Sequence, residues 1–392
     1  MLQPISSLTR RIAGKGARAW DIHAIATRDQ AAGKDVVILS IGDPEFDTPE
    51  PVRLRAIEAM QAGDTHYVDM RGKQTLRESI ARHHQRRTGQ QVDASNVVVL
   101  SGAQSGLFSA SLCLLDNGDE AISFDPIYTT YEASMAVSGA RVVSLPLNVD
   151  NDFHPDVDQI AAAITPKTRA LFLANPSNPT GGVLTREEVQ GIAELAMKHD
   201  FWIVADEVYS DLIFEGSFHH FASVPGLGDR LVTVSSLSKS HAITGWRLGW
   251  VVAPAELTEH LENLILCMLY GVPGFIQEAA IVALEECDDS TLAMRDIYCE
   301  RRDRIMELLS GIKGLKLIKP AAGMFMLADV SAFGLDSGTF MERLYHETGV
   351  SILDARAFGD AGSGFVRISF APAMQVLEEG CRRIARFVET LR

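Results

Sequence analysis

The chain has 392 residues, a formal net charge of −15 at pH 7 and 46% hydrophobic residues. That length allows one large hydrophobic core and a smaller second domain. The acidic balance argues against a surface for nucleic acid or for anionic membrane, because such surfaces are basic.

The five cysteines are scattered along the chain, without the spacing of metal ligands and without an even disulfide framework. We therefore expect reduced cysteines in a cytoplasmic protein that holds no metal. The N-terminal stretch MLQPISSLTRRIAGKG lacks the apolar core of a signal peptide. No apolar run is long enough to cross a membrane.

The first hundred residues predict an N-terminal arm followed by helices. Residues 1–35 are mixed and polar, and they predict an arm that leads into a helix. VVILSIGDPEFDTPEPV then predicts a short strand and a Gly-Asp-Pro turn. Apolar spacing predicts helices over 50–62 and 72–87, with a loop that contains Tyr67 between them.

From residue 97 to about residue 252 the sequence alternates between strand and helix patterns. Helices are predicted over 104–115, over 128–138 and in VQGIAELAMKHD. The predicted strands are VVVLSG, EAISFD, RVVSLPL, ALFLAN, FWIVAD, LVTVSS and LGWVVA. Because these strands are nearly continuous apolar runs, they are expected to be buried on both faces. That pattern indicates a mostly parallel seven-stranded sheet covered by helices.

Helical periodicity dominates from about 255 to 310, with a Gly-Val-Pro-Gly break at 271–274. The C-terminal part looks like a strand-poor α+β segment with a helix near 337–348 and a final amphipathic helix. We therefore predict an α/β protein in three parts. An arm that belongs partly to the small domain is expected over 1–41, a large domain over 42–284 and a small domain over 285–392.

Four predicted strands end in residues that commonly bind ligands. Lys239 follows LVTVSS, Asp206 ends FWIVAD and Asn178 follows ALFLAN, while a Gly-Ala-Gln turn after VVVLSG begins a helix. Ligands of open α/β sheets bind beyond the carboxyl ends of the strands. The sequence therefore predicts that these residues meet at one site.

Each of these residues also has an ordinary interpretation. Lys239 can be a surface lysine beside a serine cluster, Asp206 can cap the next helix, and Asn178 can belong to a plain Asn/Pro turn. Together they match what pyridoxal phosphate needs. The cofactor needs an amine for its aldehyde, a carboxylate for the ring nitrogen, donors for the phenolic oxygen and helix-start amides for the phosphate.

The sequence resembles the class I pyridoxal-phosphate aminotransferases of fold type I over essentially the whole chain. The stretches that carry the resemblance are GDPEFDTP, the Tyr67 loop, SGAQSGL, NPSNPTGG, ADEVY, SSLSKSHAITGWRLGW and GFVRIS. The resemblance implies pyridoxal 5'-phosphate as the cofactor, and an L-amino acid and a 2-oxo acid as substrates. It also implies a homodimer with active sites at the subunit interface.

The resemblance assigns roles to individual residues. Lys239 is the Schiff-base lysine, and Asp206 pairs with the ring nitrogen. Tyr209 and Asn178 bind the phenolic oxygen, and Tyr128 stacks on the ring. The phosphate is held by Ser236, Ser238, Arg247, the backbone amides of Ala103 and Gln104, and Tyr67 of the neighbouring subunit. Arg367 binds the substrate α-carboxylate beside Gly42, although a strand-borne arginine can also be an ordinary surface ion pair.

The resemblance also bears on the substrate. Relatives that act on aspartate tend to carry a lysine where Ala103 stands, which puts a dicarboxylate-specific site in doubt. RIAGKGARAWDIH, LSKSHAITGWRLGWVVAP and HLENLILCMLYGVPGFIQEAA are similar to arginine–pyruvate aminotransferases. This implies L-arginine as donor and pyruvate as acceptor.

Trp20 and Tyr270 lie in segments that line the substrate side in the family, or they are packing residues. An aspartate or aromatic aminotransferase that uses 2-oxoglutarate, and a β-lyase, stay open as alternatives.

Overall fold

The structure is a computed structural model that describes residues 5–13 and 20–391. Parts of the predicted N-terminal arm, residues 1–4 and 14–19, and the last residue of the predicted small domain, 392, lie outside the described residues. The strands are β1 (Val37–Ile38), β2 (Val97–Leu100), β3 (Glu120–Asp125), β4 (Arg141–Pro146), β5 (Thr168–Ala174), β6 (Trp202–Asp206), β7 (Leu231–Ser236), β8 (Gly249–Val252), β9 (Lys316–Ile318), β10 (Phe325–Asp329), β11 (Val350–Ser351), β12 (Leu353–Asp354) and β13 (Phe365–Ser369).

The helices occur before, between and after these strands. They are α1 (Leu8–Ala13), α2 (Asp21–Ala31), α3 (Glu50–Gln61), α4 (Gln74–Thr88), α5 (Ala103–Leu114), α6 (Tyr131–Ala136), α7 (Val157–Ala163), α8 (Arg186–His199), α9 (Ala255–Met268), α10 (Gly274–Glu286), α11 (Asp288–Leu309), α12 (Ser337–Thr348) and α13 (Met374–Thr390). Among the described residues, no helix combines the length and the apolar character that crossing a membrane requires.

Seven strands form the central sheet in the order β2-β8-β7-β6-β5-β3-β4. Strands β3 to β7 pair in parallel, and β8 runs antiparallel to both of its neighbours. Strands β2, β6, β7 and β8 are almost completely buried, as their continuous apolar runs predict. The edge strand β4 is mostly uncovered. The prediction of a mostly parallel sheet covered by helices is confirmed.

A second, antiparallel sheet lies in the C-terminal part of the chain, in the order β12-β13-β10-β9. The description of this part as poor in strands was therefore wrong. Its strands are short and interrupted by Pro and Gly, so they give only weak periodic patterns. Strand β1 pairs in parallel with β11, which joins the N-terminal segment to this C-terminal part. The domain boundaries at 41/42 and 284/285 stay a prediction.

Helix α6 is shorter than the predicted helix over 128–138, since it covers only Tyr131–Ala136. Residues 128–130 instead form a turn after β3, and the Tyr128 carbonyl accepts a hydrogen bond from the Tyr131 amide. The Ile127 amide donates to the Phe358 carbonyl at 2.8 Å, and this tertiary contact holds the segment before the helix. The shorter helix leaves Tyr128 at the carboxyl-terminal edge of the central sheet, where it faces a cavity.

Candidate active site

A cavity of about 580 Å³ lies where the central strands end. Strands β5, β6 and β7 are parallel neighbours, so their carboxyl ends lie side by side. Asn178, Asp206 and Lys239 follow or end these strands, and all three line the cavity. The cavity has the size of an ordinary small-molecule site. The sequence prediction that these strand ends meet is therefore matched by their positions.

Lys239 is a half-buried amine that lines the cavity. Its Nζ donates a hydrogen bond to the backbone carbonyl of Gly42 at 2.6 Å. Burial lowers the pKa of Lys239 to about 8, although the negative charge of Asp43 acts in the opposite direction and raises it. A substantial fraction of this amine is therefore neutral near pH 8, and a neutral amine is able to act as a nucleophile or base.

Asp206 is a buried carboxylate that receives two hydrogen bonds. The Tyr131 hydroxyl donates to its Oδ2 at 2.5 Å, and the Val208 amide donates to its Oδ1 at 3.2 Å. Burial raises the pKa of Asp206 to about 6, while both hydrogen bonds oppose that rise. Asp206 is therefore mostly ionised at neutral pH and offers a negative charge to a cationic group in the cavity.

The start of helix α5 forms an anion site. Gly102 precedes the helix with a φ of 81°, and Arg247 lies so close that a Cβ on Gly102 would be 2.4 Å from the arginine Nη2. Ser236 and Ser238 line the same cavity as Arg247. Amides in the first helical turn have no acceptor within the helix and point toward a bound anion. This arrangement suits a phosphate group.

Arg367 is a cation that is only 1% exposed. Its Nη1 donates to Asn178 Oδ1 and its Nη2 to the Ser40 carbonyl, both at 2.9 Å. Its guanidinium lies 3.8 Å from the ring centre of Phe325. Among the described residues, Arg367 has no ion-pair partner, and its Nε has no hydrogen-bond partner. Burial lowers its pKa to about 10. A buried charge without a counter-ion is costly, so the site favours an anionic ligand.

The side chains around these charged groups are fixed by hydrogen bonds. Tyr209 bonds to Asn178, and burial raises the pKa of Tyr209. Gln104 accepts from the Thr130 hydroxyl at 2.7 Å. Trp20, Gly42, Ala103, Gln104, Tyr128 and Tyr209 line the cavity together with the charged residues. The cavity thus collects every residue of the predicted site except Tyr67 and Tyr270.

Tyr67 and Tyr270 lie against each other elsewhere, with ring centres 4.7 Å apart. They line a second cavity of about 470 Å³. Tyr67 is 82% exposed, and Tyr270 is 48% exposed. Neither tyrosine lines the main cavity of its own chain, so any role there requires a second subunit.

Sequence reasoning missed several residues that line the main cavity: His23, Asp43, Tyr131, Thr244 and Phe325. Tyr131 could have been predicted from the sequence, because it lies three residues after Tyr128 and both tyrosines fall in the motif DPIYTTY. No sequence pattern predicted Phe325, since its place beside Arg367 depends on the register between β10 and β13. His23 reaches the site through a hydrogen bond of 3.0 Å to Ser40, which no local pattern indicates.

The fold and this set of side chains are those of an aminotransferase. The chain belongs to the family aminotransferase class I and II, whose model matches residues 34–384. Members of this family depend on pyridoxal phosphate, and the sequence-based prediction of the family is confirmed.

Individual relatives share most of the chain. Arginine–pyruvate transaminase of Pseudomonas aeruginosa is 50% identical over 380 residues, which are 97% of each chain. Aspartate aminotransferase of Thermus thermophilus, solved with maleate, has a TM-score of 0.94 at 32% identity and covers 98% of this chain and 100% of its own. Aromatic aminotransferase of Pyrococcus horikoshii has a TM-score of 0.88 at 33% identity, with 93% and 99% covered. The predicted fold type I architecture is confirmed by these structures.

Proposed function

We propose that this aminotransferase uses pyridoxal 5'-phosphate to move the amino group of L-arginine to pyruvate. The observation that carries the site assignment is Arg367, a buried cation without an anionic partner in the cavity that also holds Lys239 and Asp206. An α-carboxylate, which every amino acid and 2-oxo acid carries, suits its planar fork. The choice of arginine and pyruvate is supported by the 50% identity to a transaminase of that name.

The donor set of the cavity fits pyridoxal phosphate. The α5 start, with Arg247, Ser236 and Ser238, would hold the phosphate. Asp206 would pair with the ring nitrogen, and Tyr209 with Asn178 would bind the phenolic oxygen. Tyr128 would lie against the ring. When bound, the cofactor supplies an electron-withdrawing ring that makes the substrate Cα–H acidic.

The protein groups divide the remaining work. Arg367 and the backbone at Gly42 orient the α-carboxylate, which fixes the substrate Cα in the cavity. Lys239, whose pKa of about 8 leaves part of the amine neutral, takes the proton from Cα and later returns one. Asp206, which accepts the Tyr131 hydroxyl, would stabilise positive charge on the ring nitrogen. Burial of these groups strengthens each electrostatic contact.

The lining of the cavity argues against a donor with two carboxylates. The cations that line it among the described residues are Lys239, Arg247 and Arg367, with His23 as a titratable neighbour. The first three have the tasks given above, and Ala103 provides no further positive charge for a distal carboxylate. We therefore favour a donor without a second carboxylate over the aspartate-type alternative.

The proposal includes a homodimer. Leu54, Ile57 and Met60 are exposed along helix α3, and the exposed Tyr67–Tyr270 pair adds aromatic surface. Large exposed apolar side chains mark surfaces that associate with other proteins. Tyr67 would reach the phosphate site of the neighbouring subunit, and Tyr270 would face that subunit's substrate. The cytoplasmic location expected from the unpaired cysteines is part of the same proposal.

A donor screen tests this function. The purified holoenzyme is mixed with each L-amino acid, and the loss of the cofactor absorbance is followed in single half-reactions. We expect L-arginine to react with the highest kcat/KM and pyruvate to restore the starting spectrum faster than 2-oxoglutarate. Preference for aspartate or an aromatic amino acid would contradict the proposed donor. Release of ammonia in place of a matched keto acid would favour a β-lyase.

Tyr131→Phe should shift the acid limb of the pH profile. The tyrosine hydroxyl donates to Asp206 and favours its ionised form, so its removal raises the pKa of Asp206. Because the reaction needs Asp206 ionised, we expect the limb in kcat/KM to move to higher pH by about one unit. Tyr128→Phe is the control, since Tyr128 lines the same cavity and the hydrogen bond to Asp206 comes from Tyr131. An equal shift in both variants would contradict this account.

A further inference from the structure

We infer that the Asp43 carboxylate receives the positively charged end of the substrate side chain. This inference rests on the proposed function and deepens it, because it assigns the donor's guanidinium a partner. It also defines the ligand class of the subsite: an amino acid with a cationic side chain.

The charges in the cavity leave one carboxylate without a task. Among the described residues, the cavity is lined by two carboxylates, Asp43 and Asp206. Asp206 is deeply buried under Tyr131, while Asp43 is exposed at the opening. Every amino acid carries an α-ammonium, so that group does not distinguish one substrate from another. A second positive charge, carried by the side chain and placed near Asp43, is attracted by this carboxylate, whereas a second negative charge is repelled.

The position of Asp43 suits the far end of an arginine side chain. Ser40 accepts a hydrogen bond from Arg367, which would bind the α-carboxylate, and Gly42 accepts one from Lys239. Asp43 lies three residues beyond Ser40, a span of at most about 10 Å in an extended chain. An arginine held by its carboxylate at Arg367 is able to cover a span of that order with its guanidinium.

The segment that carries Asp43 is fixed at several points. Glu45 forms an ion pair with the buried Arg301. The ring of Phe46 packs edge-on against Tyr298, with ring centres 5.4 Å apart. The Thr48 hydroxyl donates to the Ala242 carbonyl at 3.0 Å. A fixed segment gives Asp43 a defined position before the substrate binds, which lowers the entropy cost of recognition.

Thr244 orients the Asp43 carboxylate with a hydrogen bond. Its hydroxyl donates to Asp43 Oδ1 at 2.6 Å. A carboxylate has about four acceptor positions, so one hydroxyl leaves room for the paired N–H groups of a guanidinium. Two parallel hydrogen bonds between a guanidinium and a carboxylate are among the stronger polar contacts in proteins.

The test compares isosteric substrates in Asp43→Asn. Citrulline has the shape of arginine with a neutral end, and norleucine replaces the lysine ammonium with a methyl group. We expect the preference for arginine over citrulline, measured as a ratio of kcat/KM, to fall about tenfold in the variant. Asp43 also raises the pKa of Lys239, so Asp43→Asn alters the turnover of every substrate. The ratio of kcat/KM for arginine to that for citrulline cancels this change, because it affects both substrates equally. Asp47 is an exposed acid in the same segment that does not line the cavity. Asp47→Asn is therefore expected to keep the wild-type ratio.

A binding measurement separates recognition from turnover. Calorimetry on the holoenzyme with 5-guanidinopentanoate, which lacks the reacting amine, should give a Kd that rises about tenfold in Asp43→Asn. The neutral analogue 5-ureidopentanoate should show no such loss. An unchanged arginine-to-citrulline ratio together with an unchanged Kd would overturn the role of Asp43 and leave the proposed function intact.

The substrate preference of the wild-type enzyme separates failure of the proposed donor from failure of the cation subsite. If it rejects arginine but prefers lysine to norleucine, and Asp43→Asn removes that preference, the proposed donor is wrong and the cation subsite stands. If the wild type shows no preference for a cationic substrate over its neutral isostere, the subsite is refuted, whatever amino acid proves to be the donor.

Discussion

Lys239→Ala is expected to lower amino transfer by at least about 10⁴-fold, because the variant loses the amine that we propose moves the Cα proton. Lys239 is the one lysine that lines the main cavity among the described residues. Its Nζ is aimed by the Gly42 carbonyl, and burial keeps part of the amine neutral. The measurement is the single-turnover rate of the half-reaction with the best donor from the screen.

The controls for this variant separate chemistry from folding. The thermal unfolding midpoint should stay close to that of the wild type, since removing a buried amine lifts a desolvation cost. The affinity for pyridoxal phosphate should fall, while the phosphate contacts at the α5 start keep some binding. Turnover within tenfold of the wild type in a folded variant would show that another group moves the proton.

Asp206→Asn is expected to slow removal of the Cα proton by about 10³-fold, with a much smaller effect on the affinity for the substrate. An amide carries no negative charge, so it cannot stabilise positive charge on a ring nitrogen as the carboxylate does. The measurement is the exchange of the substrate α-deuteron with solvent, which isolates proton removal from later steps. An exchange rate equal to that of the wild type would contradict the role of Asp206.

Glu207→Gln provides a matched control for that experiment. Glu207 is the next residue and is also buried, but it accepts a hydrogen bond from His220 at 2.7 Å and lines a different small cavity. Glu207 directly follows β6, and successive side chains of an extended chain point in opposite directions, which explains the separation. We expect Glu207→Gln to exchange the α-deuteron at close to the wild-type rate. A loss equal to that in Asp206→Asn would indicate general damage to this strand end.

Much of the site was predictable because parallel strands bring distant residues together by rule. Lys239, Asp206 and Asn178 are far apart in the chain, yet each lies just past a continuous apolar run. Such runs predict adjacent parallel strands, and their carboxyl ends meet at one edge. The proposed phosphate site at the start of α5 was predictable for a similar reason, since a small-residue turn before a helix is recognisable locally.

The rest of the site depends on contacts that leave no local pattern. The Tyr131–Asp206 hydrogen bond needs a helix to start after Thr130, a boundary that sequence reasoning placed too early. The Asp43–Thr244 contact joins two loops whose approach is set by tertiary packing. The full burial of Arg367 also depends on packing, because Trp20, Phe325 and Phe358 reach it from three separate segments.

The most direct test of the account is to identify the lysine to which the cofactor becomes fixed. The holoenzyme is reduced with borohydride, digested and analysed by mass spectrometry for a peptide that carries the pyridoxyl phosphate mass. We expect the mass on Lys239 alone, and we expect that addition of the amino donor before reduction removes it. A label on any other lysine, or none at all in protein that is active in amino transfer, would contradict it.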